Sequence, residues 1–139
     1  MNPGEISQGR SVLVLAVADA VALVVFVLIG VRAHHEVGAL DAVMRNAVPL
    51  ELSWFTVAAV TGAYRRPGLR TLLWTWVVAV PAGIVVRSLW IGSPSGLDLL
   101  TFLGVGSAFT LLFLLVARAA VGGFDPRSRR RAGRDRVEP

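Results

Sequence analysis

The sequence predicts an all-α integral membrane bundle of four antiparallel transmembrane helices with both termini cytoplasmic. Three observations predict it. Of 139 residues, 55% are apolar and only 17% charged, whereas a water-soluble domain carries about 25% charge and spaces its apolar residues out. The apolar residues fall into four runs long enough to cross a bilayer. The basic residues, all arginine with no lysine, gather between runs two and three and after run four.

The first run, residues 12–31, is about 30 Å long as a helix, which matches the hydrocarbon thickness. Residues 1–11 form a short cytoplasmic N-terminus. Ala18-Asp19-Ala20 has the small-x-small form of a signal-peptide cleavage site, but the apolar stretch runs well beyond it and reads as a retained span. The second run covers residues 47–64, with Pro49 expected in the first helical turn, where its missing N–H costs nothing. The third covers residues 71–91 and carries Pro81 and Gly83, which predict a kink. The fourth covers residues 97–121, opened by a capping box at Ser95 and Asp98 and closed by Gly122-Gly123. Lipid offers no partner for a bare N–H or C=O, so each run must be a helix. Residues 32–46, with apolar positions at helical spacing, predict a short amphipathic helix on the outer surface.

Arg65, Arg66 and Arg70 crowd the second loop, and Arg118 precedes the basic tail. The third loop has no arginine. Positive charge stays on the cytoplasmic side, which places both termini and the second loop there and makes the chain a multi-pass protein of a prokaryotic cell membrane. The tail, residues 122–139, is arginine-rich, apolar-poor and expected to be disordered. Its Arg127, Arg129, Arg130, Arg131 and Arg134 are expected to contact anionic lipid headgroups. Without interleaved aromatic residues, nucleic-acid binding is not expected.

Ionisable groups in a span are costly, so they are the informative positions. At 1.5 Å per residue, Asp19 falls about 4 Å to the cytoplasmic side of the midplane, and Glu51 and Arg87 about 7 and 9 Å to the outer side. Glu51 and Arg87 are expected to form an ion pair, with Arg32, His34, His35 and Asp98 just above it and the two histidines at its rim, that either registers the helices or forms an outward-facing binding or relay site. Asp19 has no cation at its own depth. It is therefore expected to pair at a distance, to be protonated, or to hydrogen-bond to one of Thr61, Tyr64, Thr75, Trp74, Trp76, Ser107 and Thr110. Ala58 with Gly62, and Gly104 with Ala108, are small-x-x-x-small pairs that permit close helix approach. Trp54, Tyr64, Trp74 and Trp90 are expected in an aromatic belt.

The absence of cysteine excludes disulfides, thiolate metal sites and thiol nucleophiles. Adjacent His34 and His35 lack the spacing of a helical metal site, and no metal or cofactor is expected. There is no zinc signature, nucleophile elbow or phosphate-binding glycine loop, and no catalytic residue is assigned.

Asp19, Phe26, Gly30, Arg32-Ala33-His34, Pro49, Trp54, Gly62-Ala63-Tyr64 and Arg87 occur in an order and spacing that resembles a small prokaryotic membrane family, domain of unknown function 3054 (DUF3054). The resemblance covers residues 11 to 120. Where the family's last span tends to end in Trp-Arg, this chain has Ala117-Arg118. The resemblance implies an integral membrane protein and no particular activity. Two functions stay open. One is a polar intramembrane site, built on Asp19, Glu51, Arg87, Arg32 and His34, that moves a proton or small solute as a homodimer. The other is a structural or assembly subunit of a membrane complex, docking a membrane-protein partner.

Overall fold

The computed structural model describes residues 3–34, 38–91 and 97–122. They form four helices: α1 (Pro3–Ala33), α2 (Ala39–Thr61), α3 (Leu69–Ile91) and α4 (Leu97–Ala120). No strand occurs among the described residues. His35, Ser95 and the arginines of the tail lie outside them, as does the side chain of Asp98.

The burial pattern is inverted relative to a soluble protein. Leu13, Val17, Val21 and Leu28 of α1 and Val105, Phe109, Leu112 and Val116 of α4 face outward, while Asp19, Thr75, Thr110 and Arg118 are buried. Apolar patches of that extent are stable only against lipid or another protein. Segments Ser11–Ala33, Leu69–Trp90 and Leu103–Ala120 are each long and apolar enough to cross a membrane. The second helix does not join them on composition alone, because Arg45, Asn46 and Glu51 interrupt its apolar residues.

Helix bounds depart from the expected runs mainly in α1 and α2. The first helix begins at Pro3, where proline's fixed φ suits a first turn. The second begins at Ala39, absorbing much of the segment expected to form a separate surface helix. Gly38, in the left-handed conformation with φ 77°, ends the preceding connection. Asp41 and Arg45 then pair at 3.2 Å one turn apart, which favours continuing the helix. Pro49 consequently lies inside α2 rather than in its first turn. Its missing N–H deprives the Arg45 carbonyl of a helical partner.

The exit from α2 is sharply defined. Gly62 adopts φ 70° and its N–H bonds the Ala58 carbonyl, while Ala63 N–H reaches the same carbonyl at 3.0 Å. This is a Schellman-type stop, in which glycine carries the left-handed residue. Arg65 and Arg66 N–H groups then close back on the Gly62 carbonyl at 3.0 and 2.9 Å. Gly62 is therefore a helix stop rather than part of a helix contact: nothing lies within 4 Å of where its Cβ would be. Gly104 likewise has open space at that position, and Ala108 is exposed. Close approach occurs instead at Gly83, whose Cβ would sit 3.1 Å from Leu50 Cα. Gly83 thus brings α3 onto α2 below Pro49.

The core holds Leu23 and Val27 of α1, Leu50, Trp54 and Ala58 of α2, Leu72, Ala79 and Val80 of α3, and Leu114 of α4. Phe26 packs against Phe113 at a ring separation of 6.3 Å, tying α1 to α4. Thr61 and Thr75 hydroxyls meet at 2.7 Å between α2 and α3, and Trp76 Nε1 donates to the Ser107 carbonyl at 3.0 Å between α3 and α4.

Candidate functional site

Two polar clusters lie within the bundle. The deeper one is built around Asp19, which is fully buried. Arg118, also fully buried, donates from Nε to Oδ1 at 2.9 Å and from Nη2 to Oδ2 at 2.7 Å, a bidentate pair. Tyr64 Oη donates to Oδ2 at 3.0 Å, and Trp54 Nε1 points to the same oxygen at 3.2 Å while also lying 3.1 Å from Tyr64 Oη. The Tyr64 ring faces Arg118, with Cζ 5.5 Å from its centroid, and Phe55 stacks on it at 6.3 Å.

Each part of this cluster follows from local structure. The Gly62 stop turns the chain so that Tyr64, just past the end of α2, comes back against the bundle. Trp54 lies on the buried face of α2 with Ala58, one turn on. Asp19 shares the inner face of α1 with Leu15, Ala22 and Leu23. A carboxylate removed from water needs both a counter-charge and hydrogen bonds to its remaining lone pairs. Here Arg118, Tyr64 and Trp54 supply them.

Of the outcomes expected for Asp19, pairing with a cation from another depth is realised, with Arg118 as its partner. Of the expected hydroxyl and indole partners, Tyr64 is the one that reaches it. Thr61 and Thr75 bond each other, Thr110 bonds the Gly106 carbonyl at 2.6 Å, and Trp74 is exposed. Trp54 is not part of an aromatic belt but is fully buried. Trp74 and Trp90, at 60% and 63% exposed, do face outward. Sequence reasoning missed Arg118 because it was grouped with the basic tail, although the resemblance had singled out its position.

The second cluster lies between Asn46 and Arg87. Arg87 Nε donates to Asn46 Oδ1, and Asn46 Nδ2 donates to the Ala42 carbonyl at 2.6 Å, so the carboxamide is fixed from both ends. Beside them is a cleft of about 40 Å³ lined by all four helices: Phe26 and Val27, Asn46 and Leu50, Val80, Gly83, Ile84 and Arg87, and Gly106 and Thr110.

The expected Glu51–Arg87 ion pair does not form. Among the described residues the ion pairs are Asp41–Arg45 and Asp19–Arg118. The reason is helical register. Asn46 and Leu50, four apart, share the face of α2 that meets Gly83 and Arg87. Glu51, one residue beyond Leu50, is turned about 100° away. It lies one turn from Trp54, and its Oε1 is buried without a hydrogen-bond partner. Arg32 and His34 are exposed at the end of α1.

Asp19, Trp54, Tyr64 and Arg118, which lie far apart in the chain, thus meet at a single carboxylate. No curated protein and no solved structure matches the chain. A family model does: the model described as protein of unknown function, DUF3054, matches residues 16–121, and the chain belongs to that family.

Proposed function

We propose that the chain is an integral protein of the prokaryotic cell membrane, with four antiparallel spans and both termini cytoplasmic, that binds a small polar solute in the Asn46–Arg87 cleft. The observation that carries this reading is the cleft itself. It is a gap lined by all four helices, with a fixed carboxamide and a guanidinium in otherwise largely apolar walls. Ligand sites commonly combine apolar walls with a few placed polar groups. The antiparallel arrangement is supported by contacts that run in opposite directions along α1 and α4, Asp19 with Arg118 and Phe26 with Phe113. The second helix crosses the bilayer with its polar residues sheltered by its neighbours. The arginine-rich tail adds attraction to anionic headgroups of about 1 kcal/mol per arginine near the surface.

Asp19 is the anchor of the bundle in this reading rather than a carrier. Its oxygens are taken up by Arg118, Tyr64 and Trp54, and it has no exposure from which a proton could be exchanged. Movement of a solute past the cleft would use Arg87 and Asn46.

The chain's lack of cysteine gives a clean test. Asn46→Cys in intact cells should react with a membrane-impermeant thiol reagent added outside, and Ala58→Cys, on the sealed face of α2, should not. Absence of labelling at Asn46→Cys would overturn the reading.

A second reading, an assembly subunit, is favoured by a groove on the outer side of α2 and α3. Its lining includes Pro49, Leu52, Ser53, Thr56, Ala82 and Val86. Covering by a second copy or another membrane protein would shelter the polar Ser53 and Thr56. Crosslinking from these positions to one stoichiometric partner would support it.

A further inference from the structure

We infer that the turn between α2 and α3, with Trp74 one helical turn beyond it, binds one anionic phospholipid, whose phosphate rests on Arg66 and Arg70 and whose acyl chain lies along α3. The inference is independent of the Asn46–Arg87 cleft and needs only that the helices lie in a bilayer.

Charge gives the first support. Arg65, Arg66 and Arg70 are exposed, and neither ion pair among the described residues includes them. The first turn of α3 contains no acidic residue to answer them. The segments that lead into α1 and out of α4 do not reverse the sign. Residues 1–10 hold Glu5 and Arg10, and residues 123–139 hold six arginines against Asp125, Asp135 and Glu138. A headgroup with net negative charge therefore fits this turn, whereas the ammonium of a zwitterionic lipid finds no carboxylate between Gly62 and Arg70.

Order gives the second. The Arg65 and Arg66 N–H groups both close on the Gly62 carbonyl, at 3.0 and 2.9 Å, and Pro67 fixes the next φ. Leu72 N–H bonds the Gly68 carbonyl at 3.0 Å, so α3 begins directly after the turn. The backbone that carries the three guanidinium groups is thus set before a lipid arrives, which lowers the ordering cost of binding. A guanidinium also matches two phosphate oxygens at once.

Depth gives the third. Arg70 and Trp74 stand one turn apart on α3, and the exposed Trp74 leans back toward Arg70. Val77 and Val78, each 49% exposed, follow on the next turn. The column runs from guanidinium through indole to aliphatic side chains, the same order as the phosphate, ester zone and acyl chain of one lipid.

The test combines native mass spectrometry with thermal unfolding of the full-length protein in a neutral detergent. Phosphatidylglycerol or phosphatidylcholine with the same acyl chains is added stepwise. One phosphatidylglycerol retained per chain and saturable stabilisation are expected, with a weaker response to phosphatidylcholine. Arg66→Gln combined with Arg70→Gln should weaken the apparent affinity about thirtyfold, at about 1 kcal/mol for each basic residue near a headgroup. Arg66→Lys with Arg70→Lys, which keeps the charge but not the bidentate fit, should retain an intermediate affinity. Arg129→Gln with Arg130→Gln, in the tail, should leave the affinity unchanged. Equal responses to the two lipids would overturn the proposal. So would loss of the response in the tail variant with none in the turn variant, which would put the lipid on the tail. Saturation by inorganic phosphate at the same concentrations would show that a free phosphate suffices and would overturn the lipid as the occupant.

Discussion

Arg118 grips Asp19 through both carboxylate oxygens, across 99 positions of chain, with neither side chain reached by solvent. The link joins the first helix to the last. It is the feature from which most of the bundle's energetics can be argued, because a charge stranded in a dry interior costs more than the pair contributes.

Arg118→Met should therefore lower the unfolding free energy in detergent by about 3–5 kcal/mol. Combining it with Asp19→Leu should recover much of that loss, since the double variant leaves no charge unpaired. Reversible unfolding of the two single variants and the double variant measures the coupling directly, and a double variant as unstable as the sum of the singles would refute it. The exposed Asp41–Arg45 pair is the internal control, with Arg45→Ala expected to cost about 0.5 kcal/mol or less.

Tyr64 has separable contributions. Tyr64→Phe removes the hydroxyl between Asp19 and Trp54 but keeps the ring against Arg118. A cost of about 1.5–3 kcal/mol is expected, as for hydrogen bonds to charged groups. Tyr64→Leu should cost a further 0.5–2 kcal/mol or so by losing the cation–π contact. The ordering in unfolding experiments checks the assignment; a phenylalanine variant as damaged as the leucine variant would contradict it.

Two glycines should respond oppositely to a methyl group. At Gly83 the new Cβ would press on the Leu50 backbone at 3.1 Å, whereas at Gly106 it would meet only Phe26 Cζ at 3.9 Å. Gly106→Ala should be neutral or stabilising by up to about 1 kcal/mol, through helix propensity. Gly83→Ala should be the less stable of the two by about 1 kcal/mol or more, as overpacking offsets that gain. Parallel thermal unfolding of both variants decides it.

Reporter fusions test the proposed topology. Phosphatase or fluorescent reporters placed after Met1, at Pro67 and after residue 122 should all report the cytoplasm, and one placed near Gly38 the opposite side. Termini on opposite sides would refute the arrangement.

The helical architecture was legible because lipid leaves few alternatives: a long apolar run must satisfy its own backbone. The start of α2 was less so: the helical spacing of residues 32–46 reads as a separate surface helix, whereas Asp41 and Arg45 pair one turn apart within α2 itself. In the deeper cluster, Asp19 stood out as a carboxylate in an apolar run and Tyr64 was among its expected partners, but Arg118 was assigned by depth. At 1.5 Å per residue its Cα lies about 14 Å from the middle of its run, against about 4 Å for Asp19. In antiparallel helices the side chains lean toward each helix's own N-terminus, so Arg118 and Asp19 lean toward each other. Counting Cα depth ignores that lean and the reach of the arginine stem. The Glu51–Arg87 pairing failed for another reason. Matching depth says nothing about rotation, and one residue of register separates Leu50, facing Arg87, from Glu51, which does not.

That the first helix depends on the last also bears on how the protein is made. Asp19 leaves the ribosome and enters the insertion machinery about a hundred codons before its counter-charge exists. Trp54 and Tyr64 emerge in between and can shield it in the interval, but only Arg118 neutralises it. A chain that ends short of α4 would leave the Asp19 carboxylate without its counter-charge. The final helix is thus what closes the charge balance of the first.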